Sequence, residues 1–202
     1  MTEAPGAPSW RDAPAPLAAD LTVVVLAGGS ARRFGSDKLA APLQGTTVLN
    51  HLLGRLPARW PVVVVGPPRP TDRVVLWVRE EPAGGGPLAG VAAGLTAVTT
   101  PYVAVVAGDM PHAARALVAL EAALRSSAPE VAGAVGVDEG GAANPLLGVY
   151  RTSAVREGIP HPAHGVAAKR LLDLAPVEVA VAGLPGRDVD TTEDLVELDR
   201  AD

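Results

Sequence analysis

Valine-rich runs alternate with longer amphipathic windows along the chain from Leu21 onwards. The runs have the length and β-branched composition of buried strands, whereas the windows repeat apolar residues every three or four positions, as helices do. Strands are predicted over residues 22–27, 61–65, 73–78, 102–107, 131–137, 145–150 and 177–181. Helices are predicted over residues 47–56, 87–98, 113–125, 165–174 and 192–200. This alternation is typical of βαβ units and predicts a single three-layer α/β/α domain with a mostly parallel, Rossmann-like sheet.

The first twenty residues depart from this pattern. Ten of them are proline or alanine, and the prolines at positions 5, 8, 14 and 16 exclude a helix. We expect a disordered Pro/Ala-rich tail over residues 1–20, dispensable for activity, and a folded domain over residues 21–202. The tail has no basic segment leading into an apolar one, and no apolar stretch reaches about eighteen residues, so a cytoplasmic protein without a membrane partner is expected.

Composition restricts the possible chemistry. The chain of 202 residues contains no cysteine and has a formal net charge of −5. The absence of cysteine excludes disulfides, thiolate metal sites and cysteine nucleophiles. The negative charge argues against broad nucleic-acid binding, so no nucleic-acid partner is expected, although a local basic loop can still hold one nucleotide.

The loop after the first predicted strand is such a basic segment. Its sequence, LAGGSARRFGSDK, covers residues 26–38. Gly28 and Gly29 allow backbone N–H groups to approach phosphate oxygens without an intervening Cβ. Arg33 and Lys38 supply positive charge. The loop matches neither the Walker pattern nor G-x-G-x-x-G, but it suits a polyphosphate, because ligands bind beyond the carboxyl ends of parallel strands.

A candidate metal ligand, Asp109, follows the apolar run YVAVVA and precedes Pro111. Its position after a strand places a carboxylate at the same sheet edge as the glycine-rich loop. Mg²⁺ takes a few carboxylate oxygens and completes its octahedron with water and phosphate oxygens, so one or two aspartates suffice. The alternative is a cap of the helix predicted from residue 113, since aspartate often forms turns and N-caps.

Five segments together resemble the molybdenum cofactor guanylyltransferases of the nucleotidyltransferase superfamily. Residues 26–38 are similar to the motif L-A-G-G-x-S-x-R-M-G-x-D-K of that family, with Ala31 in place of serine and Phe34 in place of methionine. The other segments follow in the family's order: GPLAG at residues 86–90, GDMP at 108–111, NPL at 144–146 and DVDTTEDL at 188–195. The resemblance covers residues 21–200 and implies a fold of the nucleotidyltransferase type.

The resemblance also implies a set of nucleotide-binding residues. Glu81 stands where the family has an aspartate near the guanine or ribose, and Gly86 lies against the base. A carboxylate there accepts hydrogen bonds from guanine N1–H and N2–H₂, which cytosine does not offer in that arrangement. The family's asparagine after its second strand falls near Val65 and Gly66, so that contact is missing or supplied elsewhere. The expected nucleotide-binding residues are Leu26, Ala27, Gly28, Gly29, Arg33, Lys38, Glu81, Gly86 and Asp109.

Two aspartates near the end of the chain depart from the family, which has asparagine at both positions. Asp188 and Asp190 replace neutral oxygen ligands by charged ones. Either aspartate could therefore join Asp109 as a second metal ligand, and Asp190 is the expected one. Ordinary capping of the last helix by Asp188 and Asp190 is the alternative.

The activity implied by the resemblance is transfer of GMP from GTP to molybdopterin, which releases pyrophosphate and forms the guanine dinucleotide cofactor. Arg33, Lys38 and Asp109 are the expected catalytic residues, and Mg²⁺ is the expected cofactor. Implied partners are GTP and molybdopterin as substrates, together with molybdoenzymes or other cofactor-biosynthesis proteins.

Two other interpretations stay open from the sequence. A sister enzyme would use the same loop to transfer CMP or another nucleotide to a different phosphorylated acceptor. A carrier would bind a nucleotide or cofactor without turnover. The pairing of Asp109 with Lys38 argues against a carrier, which needs no metal ligand beside a phosphate-binding lysine.

Overall fold

A seven-stranded sheet runs through the part of the molecule that the computed structural model describes, residues 19–28 and 37–200. The strands in these ranges are β1 (Leu21–Leu26), β2 (Pro42–Leu43), β3 (Thr46–Thr47), β4 (Val62–Val65), β5 (Leu76–Val78), β6 (Tyr102–Ala107), β7 (Gly133–Val137), β8 (Ala143–Arg151) and β9 (Val177–Ala180). The α-helices are α1 (Val48–Arg55), α2 (Pro87–Leu95), α3 (Ala114–Ser126), α4 (Thr152–Gly158) and α5 (Thr192–Arg200). Short 3₁₀ helices cover Lys38–Ala40, Ala168–Leu174 and Leu184–Gly186.

The sheet has the order β5-β4-β1-β6-β8-β7-β9, and β2 and β3 form a separate hairpin. Neighbours β5, β4, β1 and β6 are parallel. Strand β8 is antiparallel to both β6 and β7, and β7 is parallel to β9. All strands of this sheet except β8 therefore point the same way, which confirms the predicted mostly parallel α/β sheet. Their carboxyl ends share one edge, called the carboxyl edge below.

Two apolar cores cover the faces of the sheet. Side chains alternate along β1, so Val23 and Val25 pack in the core that includes α1, α3 and α5, whereas Val24 packs against α2 and α4. Burial on both faces explains why the central strands are almost continuous runs of valine. Each fully buried valine or leucine side chain contributes about 1.5–3 kcal/mol, so these cores hold the strand ends in place. The predicted three-layer arrangement is thus confirmed.

Several local predictions differ from the structure. The helix predicted over residues 165–174 is a 3₁₀ helix, Ala168–Leu174, and the residue that caps it, Ala175, has a positive φ of 50°. Sequence patterns also missed α4 and the β2–β3 hairpin, whose turn residues Gln44 and Gly45 have φ values of 48° and 78°. The predicted tail, residues 1–20, lies outside the described residues except for its last two.

None of the helices within residues 19–28 and 37–200 combines the length and the apolar character that crossing a bilayer requires.

Candidate functional site

Loops from four strands meet at the carboxyl edge. Ala27 follows β1 and donates its N–H to Val65 of β4 at 2.8 Å, which extends the sheet pairing by one residue. Gly66, just after β4, has a φ of 145°, and a Cβ built on it would lie 2.7 Å from the Ala27 carbonyl. Any side chain at this position would collide with the end of β1. The close approach accounts for glycine in the region where the resemblance expects an asparagine.

Lys38 and Asp109 form the charged centre of this edge. The Lys38 Nζ makes an ion pair with Asp109 Oδ2. The same ammonium donates to the Val189 carbonyl at 3.0 Å and to Asp190 Oδ1 at 3.3 Å. The Val189 N–H in turn donates to the Asp109 carbonyl at 2.9 Å, which fixes the C-terminal segment against the end of β6. Three of the residues predicted from sequence are therefore brought together.

Charges in this cluster shift the pKa values of two groups. Partial burial alone would lower the pKa of Lys38, but hydrogen bonds and attraction from Asp109 and Asp190 outweigh it and raise that pKa above its usual value. Lys38 is consequently a permanent cation at neutral pH. Burial and the neighbouring Asp190 carboxylate raise the pKa of Asp188. The site therefore has an excess of carboxylates that favours additional positive charge.

Asp109 has the environment expected of a metal ligand with an open position. Its Oδ1 is buried and accepts no hydrogen bond from the described residues, although Oδ2 is paired with Lys38. A buried oxygen without a donor carries a desolvation cost that a bound cation would remove. Among the described residues, no three His, Asp or Glu side chains cluster as a complete metal cage. One free carboxylate oxygen instead fits a divalent cation that arrives with phosphate and water ligands.

A cavity of about 380 Å³ extends from Asp109 to the glycine-rich segment before α2. Gly28, Glu80 and Gly86 line it, together with Leu146 at the start of β8. Gly86 has a φ of 88° and caps α2, whose first residue is Pro87. The small side chains leave room for a planar ring, and the N-terminal residues of α2 lie against the cavity.

Of the two glutamates before α2, Glu80 lines this cavity and Glu81 does not. Its Oε1 accepts a hydrogen bond from the Gly84 N–H at 3.3 Å, and the residue is half-buried. Glu81 is exposed and does not line the cavity. The glutamate that lines the cavity is therefore one residue before the position implied by the resemblance, and the nucleotide-binding role of Glu81 stays a prediction. Both glutamates lie in the loop after β5, where the regular alternation of side chains along a strand no longer applies. The conformation of this loop therefore decides which glutamate faces the cavity.

The other predicted residues have different outcomes. Leu26 and Gly28 line the cavity, and Ala27 lies between them in the chain. Gly29 and Arg33 lie outside the described residues, so their roles stay predictions. No sequence motif indicates a role for Arg69, a partly buried arginine whose guanidinium contacts both Ala27 and Asp37.

The chain is similar in sequence to several curated proteins. A probable molybdenum cofactor guanylyltransferase of Chloroflexus aggregans is 36% identical over 146 residues, which cover 65% of this chain and 66% of that protein. A probable molybdenum cofactor guanylyltransferase of Mycobacterium tuberculosis is 43% identical over 107 residues, covering 48% of this chain and 53% of that one. The molybdenum cofactor guanylyltransferase of Burkholderia cenocepacia is 35% identical over 153 residues, covering 69% and 75%. The chain thus spans about half to three quarters of the curated relatives it matches.

Solved structures share the fold. The molybdopterin-guanine dinucleotide biosynthesis protein A of Archaeoglobus fulgidus superimposes with a TM-score of 0.64 at 19% identity, covering 88% of this chain and 96% of that one. A cytidylyltransferase of Thermus thermophilus that acts on 2-C-methyl-D-erythritol 4-phosphate gives 0.62 at 22% identity, covering 87% and 96%. These likenesses confirm a fold of the nucleotidyltransferase type. Residues 23–178 match the family described as the MobA-like NTP transferase domain, and the chain belongs to that family.

Proposed function

We propose that this chain transfers GMP from GTP to molybdopterin, releasing pyrophosphate and forming the guanine dinucleotide cofactor. The observation that carries the proposal is the pairing of Lys38 with Asp109, whose free Oδ1 is buried at the end of a glycine-lined cavity. A fixed cation beside an open carboxylate oxygen suits a metal-bound polyphosphate. The names of the relatives, molybdenum cofactor guanylyltransferases, support the choice of donor and acceptor.

The reaction is a single in-line displacement. A phosphate oxygen of molybdopterin attacks the α-phosphorus of GTP, the new P–O bond forms, and the bond to the β-phosphate oxygen breaks. Pyrophosphate leaves with the electron pair of that bond. The chain needs no nucleophile of its own, because its task is to orient the phosphates and neutralise their charge. Lys38 neutralises part of the negative charge on the departing pyrophosphate, and we propose the same role for Arg33.

Mg²⁺ is the cofactor we propose for this site. Asp109 would hold it through Oδ1, with Asp190 as a second carboxylate nearby. When bound, the ion polarises the phosphate oxygens and offsets their negative charge. Val189 keeps Asp109 and Asp190 on the same side of Lys38 through its backbone contacts with both Asp109 and Lys38.

The base-side end of the cavity supports guanine as the donor base. Glu80 presents an acceptor that suits the two adjacent N–H groups of guanine, and Gly86 leaves space for the ring. Molybdoenzymes, or proteins that deliver cofactor to them, are the proposed recipients of the product.

The test is turnover of purified protein with molybdopterin, Mg²⁺ and each of GTP, CTP, ATP and UTP. We expect pyrophosphate and a guanine dinucleotide from GTP alone, loss of both in Asp109→Asn, and normal rates in Asp173→Asn. Asp173 is an exposed aspartate paired with Arg170 and serves as the matched control. Turnover of CTP in preference to GTP would contradict the proposal and favour a sister cytidylyltransferase. Nucleotide binding without pyrophosphate release would indicate a carrier.

A further inference from the structure

We propose that Arg69 is a positioning residue that sets Lys38 in place by tying the end of β1 to the turn that carries Lys38. This inference rests on the proposed function, because Lys38 is assigned there to the phosphates. Nothing in the motifs at residues 26–38 or 86–90 points to Arg69, which lies between β4 and β5.

The Arg69 guanidinium joins two points that are ten positions apart in the chain. Its Nε and Nη2 donate to the two carboxylate oxygens of Asp37 at 2.6 and 3.1 Å. Its Nη1 donates to the Ala27 carbonyl at 3.0 Å and to the Pro67 carbonyl at 3.0 Å. The side chain is only 15% exposed, so these bonds are partly shielded from water. A planar guanidinium with several donors can make such a set of contacts, whereas an ammonium cannot match the two-pronged geometry.

Asp37 connects Arg69 to the turn that begins at Lys38. Its carboxylate caps the short 3₁₀ helix Lys38–Ala40 by accepting from the Leu39 N–H at 3.2 Å. The Asp37 carbonyl also accepts from the Ala40 N–H at 3.0 Å. Because Lys38 is the first residue of this turn, fixing Asp37 fixes the point from which the Lys38 side chain departs. The hydrogen bond from Arg69 is the main reason why the pKa of Asp37 is lowered, which keeps the carboxylate charged.

The backbone of Ala27, which Arg69 contacts, is itself held in place by the sheet. Its N–H is paired with β4, and Gly66 packs directly against its carbonyl, so the end of β1 cannot shift without disturbing the sheet. Arg69 therefore holds Asp37 relative to a rigid strand end. A displacement of about 1 Å in a charged group that contacts the transition state is enough to cost about 100-fold in rate.

Arg73 offers a matched control on the same connection. Its guanidinium donates to the carbonyls of Leu53, Leu56, Pro57 and Trp60, at the far end of α1 and the start of β4. Both arginines lie between β4 and β5 and bind backbone carbonyls, but only Arg69 reaches Asp37. Loss of Arg73 is expected to lower the melting temperature and leave the kcat/KM of the folded enzyme within about 2-fold of wild type.

The deciding experiment is a double-mutant cycle between Arg69 and Lys38 on the full chain. We expect Arg69→Ala to lower kcat/KM for GTP by about 10- to 100-fold, mainly through kcat, and Arg69→Lys to recover little of it. In a Lys38→Ala background, the further loss from Arg69→Ala should fall below about 2-fold, because Arg69 acts through Lys38. Equal losses in both backgrounds, or a wild-type kcat/KM in folded Arg69→Ala, would overturn the proposal.

A second measurement separates this inference from the proposed function. Hydrogen exchange at the amides of Ala40 and Ala41, which close the turn, should accelerate in Arg69→Ala and in Asp37→Asn but not in Arg73→Ala. This readout requires no turnover, so a chain that fails to transfer GMP would still reveal whether Arg69 orders the turn. Unchanged exchange in Arg69→Ala would overturn the positioning role. Should Arg69→Ala not fold, the conservative Asp37→Asn variant carries the same test.

Discussion

The two ends of the cavity, to which we assign the phosphates and the base of the nucleotide, are built in opposite ways. At the phosphate end, Lys38 meets Asp109 and Asp190, so the cluster joins residues from distant parts of the chain through charged contacts. At the base end, Glu80, Gly84 and Gly86 come from one short segment, and small residues define the shape. We infer that the phosphate end controls the rate and the base end controls the choice of nucleotide. Substitutions at the phosphate end should therefore lower kcat, whereas substitutions at the base end should raise the KM for GTP.

The largest effect is expected from Asp109→Asn at the phosphate end. The amide removes the charge that would hold the metal, so kcat should fall by more than about 1000-fold. Pyrophosphate release at saturating GTP measures this loss, and an unchanged melting temperature would show that the fold is intact. A wild-type rate with the same Mg²⁺ dependence would mean that Asp109 serves only to pair with Lys38.

Lys38→Ala should have the next largest effect. It removes a charge-assisted contact in a partly desolvated site, worth about 2–4 kcal/mol, or a loss of about 30- to 1000-fold in kcat/KM. Lys169, the other lysine of the chain, is exposed, and Lys169→Ala should keep the wild-type rate. Near-normal turnover of Lys38→Ala would contradict the phosphate-binding role of the cluster.

Substitution of Glu80 tests the base end. Glu80→Gln should raise the KM for GTP by about 10- to 100-fold with little change in kcat, because a hydrogen bond to a charged group is lost. The neighbouring variant Glu81→Gln should change KM by less than about 2-fold, since that side chain is exposed. The reverse pattern in steady-state kinetics would assign the base contact to Glu81 and remove the separation between the two ends.

Asp190→Asn should have only a small effect, although Asp190 belongs to the phosphate end. Its side chain is 60% exposed and its pair with Lys38 spans 3.3 Å, so the charge itself contributes little. An amide oxygen can still coordinate a cation, and we expect kcat/KM to stay within about 3-fold of wild type. A loss comparable to that of Lys38→Ala would show that the cluster needs both carboxylates.

The smallest expected effect is the pH dependence that the Arg69–Asp37 ion pair adds to the free energy of unfolding. The pKa of Asp37 is lowered from its usual 3.8 in the folded protein. Its contribution to the free energy of unfolding is therefore present above pH 3.8 and disappears as the pH falls through the folded pKa. Denaturant titrations of wild type and Asp37→Asn should converge at low pH. A difference that grows on acidification would have the wrong sign for this pair.

Sequence patterns predicted the parts of the molecule that depend on local order. The valine runs predicted six of the seven sheet strands to within about two residues at each end, because burial on both faces requires continuous apolar composition. Lys38 and the glycines near it are predicted as phosphate-binding residues because phosphate chemistry requires those residue types close together in the chain. The direction of β8 was not predicted, since antiparallel and parallel strands of similar composition look alike in sequence.

Long-range contacts and loop geometry account for what sequence patterns missed. Arg69 has no local signal, because its partners, Ala27 and Asp37, belong to an earlier part of the chain. The choice between Glu80 and Glu81 depends on a loop conformation that begins after β5 ends at Val78. Arg73 interrupts the strand predicted over residues 73–78 by turning toward the carbonyls of α1 and the segment after it.

The reversed strand β8 makes one side of the site a candidate for redesign. The hairpin from β7 into β8 turns at the carboxyl edge, where Asp138 accepts hydrogen bonds from the Gly140 and Ala142 N–H groups at 2.9 and 2.8 Å. The end of β8 lies at the opposite edge, where Arg151 pairs with Tyr102. Insertions at residues 139–141 would therefore lengthen this hairpin at the carboxyl edge without entering the parallel strands. The carboxyl edge could thus be extended by new sequence while the sheet that holds Lys38 and Asp109 in place stays unchanged.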